Sequence, residues 1–594
     1  MTRIPLRPLA RVLEARENGE NPDKIEKENR RKRHEEMRDR SRLKSEGRLV
    51  VLAGLFLCAF IVVGLRMGVL SASDPREPRA YANGATIRAA RADIVDRNGR
   101  ILATNLLTRA LYAQPPMMVD KAQAARELAR IFPDLEEEKL LAQFTGSRKF
   151  LWIKRKISPE QQQMVHDIGE PGLLFGPREM RLYPNGAIAS HVLGGASFGR
   201  EGVNSAEVIG VAGVEKYFDD WLRNPDNSDH PLALSLDLTV QSAVEEILDG
   251  GMKLMGAKGA AAVVIDVYTG ELISLVSLPD FDPNKRPRPL TKGSAADSPL
   301  FNRAVQGVYE LGSVYKIFAA SQALDLGLVS PQTMVNTRGP LKWGRFSIRD
   351  FHDYGAQLSV TDVIVKSSNI GTARIAQQIG AERQQAFLGS LGLLEPTQLE
   401  LIEAAGARPL KPGNWSELST MTISYGHGLS ASPIHLAAAY ASIVNGGTLV
   451  TPTLLRQDSV QPGPRVISTE TSAIARDMLR QVVSRGTASF GEVPGYNVGG
   501  KTGTADKPKE NGGGYQDGKV IATFASVFPA NNPRYVLTLT LDEPEVYAAG
   551  EMRRTAGWTA VPIAAEVIRR IAPLLGLRPE IASQATSGVT LASN

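Results

Sequence analysis

At 594 residues, 43% hydrophobic and 22% charged, the chain is too long for one ordinary core and has apolar material for two to four folded units. Its formal net charge of +6 sits almost wholly at one end: residues 1–48 hold 15 Lys/Arg against 10 Asp/Glu, a difference of +5. The rest is nearly neutral, which argues against a nucleic-acid partner, and the single cysteine, Cys58, permits no intrachain disulfide.

Residues 1–47 are charge-dense, with the run Arg30-Arg31-Lys32-Arg33, and are expected to form a solvated cytoplasmic tail with no core of its own. Leu49 to Leu70 is a 22-residue apolar run broken only by Arg66. As a helix it spans about 33 Å, so 48–70 is assigned as a transmembrane anchor. Nine Lys/Arg in 29–48 against three in 71–90 place the N-terminus in the cytoplasm and everything after the anchor outside. A cleaved signal peptide would need an n-region of 48 residues, far longer than usual. A Pro/Gly-containing linker, 76–85, leads into a mixed α+β module that runs to 229, giving a unit of 71–229. Within it Asp93 to Ala103 reads as strand, Asn98-Gly99 turn, strand, and helices are expected over Lys121–Phe132 and Pro159–Ile168.

A larger domain, 230–576, follows. Ala233–Leu238 reads as a strand and Thr239–Met255 as an amphipathic helix. Gly259–Ile265 and Glu271–Leu278 are apolar strands joined by a hairpin over 266–270. After a Pro-rich stretch, 279–299, helical material is expected over Ser313–Leu326 and Thr361–Ile379. Ile521–Phe528 and Tyr535–Leu541 are β-branched strands, and Ala560–Leu574 is a final helix. Residues 577–594 read as a flexible C-terminal tail.

Acyl transfer needs a nucleophilic hydroxyl, a base free of its proton near neutral pH, a second proton carrier and donors for the oxyanion. Ser313-Val-Tyr-Lys316 sets a hydroxyl and an amine three residues apart at a helix start. That pattern alone means little, since Ser41-Arg-Leu-Lys44 repeats it in the charged tail. It becomes specific when Ser367-Ser-Asn369 follows 54 residues after Ser313 and Lys501-Thr502-Gly503-Thr504 follows 188 residues after it, in one domain. An unperturbed lysine is neutral in only about one molecule in 2,500 at pH 7, so Lys316 must be perturbed. Burial beside the second cation, Lys501, does this, and bringing the pKa near 7 corresponds to roughly 4 kcal/mol. Ser367 can then hand a proton to the leaving amine, and Asn369 can orient Lys316 and hold a substrate amide. Thr502 and Thr504 can bind a carboxylate, and the backbone amides of Ser313 and Thr504 can serve the oxyanion. Val498-Gly499-Gly500 lets a substrate backbone lie along an edge strand. His427 is expected to be a packed or turn histidine, because the lysines already fill the role of base.

With these motifs in place the chain resembles the class B penicillin-binding proteins over nearly everything beyond the anchor. Arg91-Ala-Asp-Ile-Val-Asp-Arg-Asn-Gly99 is similar to the family's membrane-proximal motif, with Ala92 where glycine is usual. Arg181 to Gly186 with His191, and Gly213-Val-Glu215, resemble further motifs of the noncatalytic pedestal. Tyr309-Glu-Leu-Gly-Ser313 resembles the nucleophile block, with Leu311 where proline is common; Ser424 to Ser430 and Asn445-Gly-Gly447 resemble later blocks. The resemblance implies an α+β fold, an antiparallel sheet flanked by helices on an elongated α+β pedestal. It implies a peptidoglycan D,D-transpeptidase that cross-links stem peptides through an acyl-enzyme on Ser313, is blocked by β-lactams and needs no cofactor. Glu310, the Ser-Ser-Asn form and the size are most similar to the division-specific FtsI type. That type implies septal work beside an FtsW-type membrane glycosyltransferase and other division proteins. The alternatives are an elongation-type enzyme and a silent scaffold or β-lactam sensor with the same fold.

Overall fold

The computed structural model describes residues 7–72, 91–201, 206–509 and 514–580. The expected linker at 76–85 and residues 581–594 of the expected tail lie outside these. Residues 1–82 and 83–594 form two compact units, each taken by itself.

The first unit is a pair of helices, Arg7–Glu17 and Pro22–Ala72. Residues 7–17 and 22–47 of the tail expected to stay solvated are helical, yet they build almost no core: their charges pair along the helix surface, Glu26 with Arg30, Glu28 with Lys32 and Arg31 with Glu35. Such i,i+4 pairs add roughly 0.2–0.5 kcal/mol each, enough to favour helix without burial. Glu46–Gly68 has a mean hydropathy of 2.6 and is long enough to cross a membrane.

In the second unit the Asn98-Gly99 turn closes as expected. Gly99 takes φ 81°, and Asp96 Oδ1 accepts from the amides of Asn98 and Arg100, both at 2.8 Å. The long strand Ile101–Ala113 pairs antiparallel with Leu151–Ile157 and with Leu173–Leu182. Helices pack on this sheet with written-in starts. Asp120 caps Lys121–Ile131, and Ser158 with Gln161 forms a capping box on Pro159–Asp167, a device worth about 1 kcal/mol. At the far end four side chains are buried together. Arg91 donates to Glu215 at 2.7 Å and to Asp219 at 2.7 Å, and Arg181 donates to Glu215 at 2.6 Å.

The expected strand Ala233–Leu238 shrinks to Leu232–Ala233, because Asp237 is spent as the N-cap of helix Leu238–Leu254, accepting from the amides of Thr239 and Val240. Beyond it lies a five-stranded, wholly antiparallel sheet. In spatial order its strands are Gly499–Pro508, Tyr515–Phe528, Tyr535–Asp542, Gly259–Asp266 and Leu272–Leu278. Early and late strands meet in the middle, Val263 opposite Thr538. Every residue of Gly259–Asp266 and Tyr535–Asp542 is buried, which explains their continuous apolar runs: helices cover both faces. Ala560–Leu574 lies against Leu238–Leu254, where Gly251 leaves room for Ile563 that a Cβ would take. The expected helical stretch Thr361–Ile379 is two helices, Val360–Val365 and Asn369–Ile379, broken at Ser367, whose φ is +63°.

Candidate active site

Three short segments meet at the free edge of this sheet. Gly312–Tyr315 forms a 3-10 turn that runs into helix Lys316–Asp325, so Ser313 stands on a turn and Lys316 opens the helix. The turn lies main chain to main chain on the edge strand: a Cβ at Gly503 would come within 2.2 Å of the Leu311 carbonyl, and one at Gly312 within 2.8 Å of the Thr504 carbonyl. Leu311, standing where proline is common, is fully buried beneath it.

Lys316 and Lys501 are both completely buried, and their amines converge on one hydroxyl. Lys316 Nζ donates to Ser367 Oγ at 3.1 Å and to the Ser367 carbonyl; Lys501 Nζ donates to Ser367 Oγ at 3.0 Å and to the Thr502 carbonyl at 3.1 Å. Burial is the larger cause that holds the Lys316 amine well below the ordinary lysine range, the like charge of Lys501 adds to it, and Asp350 opposes both. Burial alone lowers Lys501 to about 7. Burial thus favours the neutral form of the Lys316 amine, while Lys501 stands at its titration point near neutral pH. Ser313 is only half-buried, and among the described residues its hydroxyl makes no hydrogen bond.

The remaining sequence-derived residues divide. Thr502 Oγ1 lies 2.7 Å from Thr487 Oγ1, and Thr504 Oγ1 accepts from the Ala556 amide at 3.0 Å, so both hydroxyls are oriented at the edge strand. Asn369 departs from its expected part in orienting Lys316: its amide donates instead to the Arg349 carbonyl at 2.9 Å. His427 packs between the rings of Tyr425 and Tyr515. Beside it Glu310 accepts from the Gly428 amide at 2.8 Å and from the Tyr515 hydroxyl at 3.0 Å, joining the nucleophile block to the neighbouring loop and strand.

Asp350 is the residue that sequence reasoning missed. One oxygen accepts from Ser368 Oγ at 2.6 Å and the other from the Ile370 amide at 3.0 Å, while Ser368 Oγ accepts from the Gly371 amide. This fixes the start of helix Asn369–Ile379 and the strained backbone of Ser367 ahead of it. Its position in a connecting loop left no spacing to read.

Residues 260–569 match the family described as penicillin binding protein transpeptidase domain, and 86–229 match the penicillin-binding protein dimerisation domain. The chain is a class B penicillin-binding protein. It is 36% identical to a protein of Caulobacter vibrioides described as "Probable peptidoglycan D,D-transpeptidase FtsI", with 89% of each chain covered. It is 31% identical to PenA of Neisseria gonorrhoeae, a protein of like description, with 84% of this chain and 88% of that one covered. Against FtsI of Escherichia coli K12 the identity is 27%, over 83% and 85%. Crystal structures of penicillin-binding protein 3 from Mycobacterium tuberculosis superpose with TM-scores of 0.62 with aztreonam bound and 0.63 with ampicillin, at 27% identity. They cover 83% of this chain and 98% and 97% of their own. This penicillin-binding protein is accordingly an FtsI-type peptidoglycan D,D-transpeptidase built on the penicillin-binding transpeptidase fold.

Proposed function

We propose that Ser313 is the nucleophile of this transpeptidase and that it works through an acyl-enzyme in septal cell-wall synthesis. The convergence of two buried lysines on Ser367, beside the Ser313 turn, carries the reading. As Ser313 Oγ bonds to the penultimate D-Ala carbonyl carbon, its proton passes to neutral Lys316. The amides of Ser313 and Thr504 receive the oxyanion. Ser367, hydrogen-bonded to both amines, gives its proton to the nitrogen of the terminal D-Ala and is replenished from Lys316 or Lys501; the C–N bond breaks and D-Ala leaves. An amine of a second stem then attacks the ester, the new amide forms, and Ser313 Oγ regains a proton by the reverse path. Thr502, Gly503 and Thr504 line the place for the substrate carboxylate, with Lys501 supplying positive charge, and Asn369 holds a substrate amide. A β-lactam enters the same first step and leaves an ester that water reaches slowly.

The anchor helix supports a single-pass protein of the cytoplasmic membrane with the tail inside and the catalytic domain outside. The division-type relatives support work beside an FtsW-type glycosyltransferase and other division proteins. Labelled penicillin tests the nucleophile: the wild type takes one label per chain and keeps it, and Ser313→Ala takes none. Label retained by the variant refutes the assignment.

A further inference from the structure

Between the first and second motifs the chain makes a small hairpin, Leu341–Trp343 with Phe346–Ile348. Leu341 pairs with Ile348 and Trp343 with Phe346, and alternation puts these two pairs on one face. The inner pair is buried against Ile370, Ala373 and Met421, and so against the helix that Asn369 begins. The outer pair carries the same face past the edge of the domain, where Trp343 is 36% and Phe346 48% exposed. Exposed aromatic rings on a face that elsewhere seeks burial mark a contact surface.

The charge around them has one sign. Arg338, Lys342, Arg345 and Arg349 are all exposed and enter no ion pair among the described residues. The acidic residues between 338 and 354 are Asp350, committed to Ser368 and Ile370, and Asp353, which accepts from the Gly355 amide. The same loop is tied to the second motif through Asn369 and the Arg349 carbonyl.

We propose that this hairpin docks the acceptor, the peptidoglycan strand whose amine resolves the acyl-enzyme. This rests on the transpeptidase reading. Two stems must reach Ser313. The free edge of Gly499–Pro508 suits one as an added strand, and the hairpin continues from the separate wall headed by Ser367 and Asn369. Uncross-linked stems carry free carboxylates, which the four cations attract, Arg345 from its place over the Phe346 ring, and sugar rings present apolar faces to the exposed aromatics.

The test uses the full chain in detergent, with Ser313 blocked by unlabelled penicillin, and measures binding of an uncross-linked disaccharide-tetrapeptide. The expected result is affinity lowered about tenfold in Lys342→Glu/Arg345→Glu, as for two lost surface charge contacts, and a weaker dependence on salt. Trp343→Ala/Phe346→Ala is expected to lower affinity at every salt concentration, and both variants to label with penicillin at the wild-type rate. Unchanged affinity in both variants, or equal binding of the peptide with its carboxyls amidated, overturns the proposal, as does a hairpin that captures an acidic protein while muropeptide affinity stays put. A wild type that takes no penicillin label defeats the transpeptidase reading itself, a failure distinct from these.

Discussion

Two clusters of buried charge lie in the second unit, and they are built on opposite rules. Around Glu215 every charge has a partner: Arg91, Arg181 and Asp219 are close enough for short ionic hydrogen bonds, and Tyr183 adds a hydroxyl. Around Ser367 two amines are buried whose hydrogen bonds reach only a hydroxyl and carbonyls, with the Asp350 carboxylate acting on Lys316 from a distance and not bonded to it. Pairing keeps charges in place and joins distant segments of chain. Withholding a partner strips a proton from an amine, which costs stability and yields a base. The first arrangement ties segments of chain together; the second holds its amines toward the uncharged state.

The sharpest way to break this contrast is to remove one member from each side. Lys316→Met is expected to slow penicillin acylation by about 10²–10⁴-fold, measured by stopped-flow or gel labelling, with a melting temperature equal to or above wild type because one of the two buried amines without an ionic partner is gone. A large loss of stability would show that the amine is structural. Glu215→Ala should do the reverse. It leaves two buried arginines short of an acceptor, a change expected to cost about 3–5 kcal/mol in denaturant unfolding, with labelling per folded molecule unchanged.

A finer test uses pH. In the folded chain Lys501 titrates at about 7, against an ordinary value near 10.5, so between these values the unfolded chain binds more protons and stability rises with pH. The stability advantage of Lys501→Met over wild type is expected to be greatest at and below pH 7 and to shrink steadily toward pH 10. An advantage that stays flat across that window would mean the buried amine never lost its proton. The smallest effect is expected from Asp350→Asn. Losing a carboxylate that favours the charged lysine lets the Lys316 amine fall further, so the acid limb of the acylation profile moves to lower pH. Weaker capping of helix Asn369–Ile379 costs about 1 kcal/mol.

How much of this was legible in the sequence follows from what each feature depends on. The ordered motifs named Ser313, Lys316, Ser367 and Lys501 because spacing on a turn and an edge strand survives as pattern. The sheet strands were legible because continuous β-branched runs match two covered faces. Asp237 was misread as strand because a cap and a strand end look alike until the first helical amides are seen to bond it. The left-handed backbone at Ser367 and the turn of Asn369 toward Arg349 were hidden, since both depend on a loop twenty residues upstream. Asp350 was hidden for the same reason.

The seat of the Ser313 turn on the edge strand has a consequence for how such an enzyme can change. A Cβ at Gly503 would meet the Leu311 carbonyl, one at Gly312 the Thr504 carbonyl and one at Gly426 the Gly312 carbonyl, with Gly312 and Gly426 both at positive φ. Any side chain at these three places pries the Ser313 turn off its strand. Change at this site therefore falls to the side chains that surround these three glycines rather than to the glycines themselves.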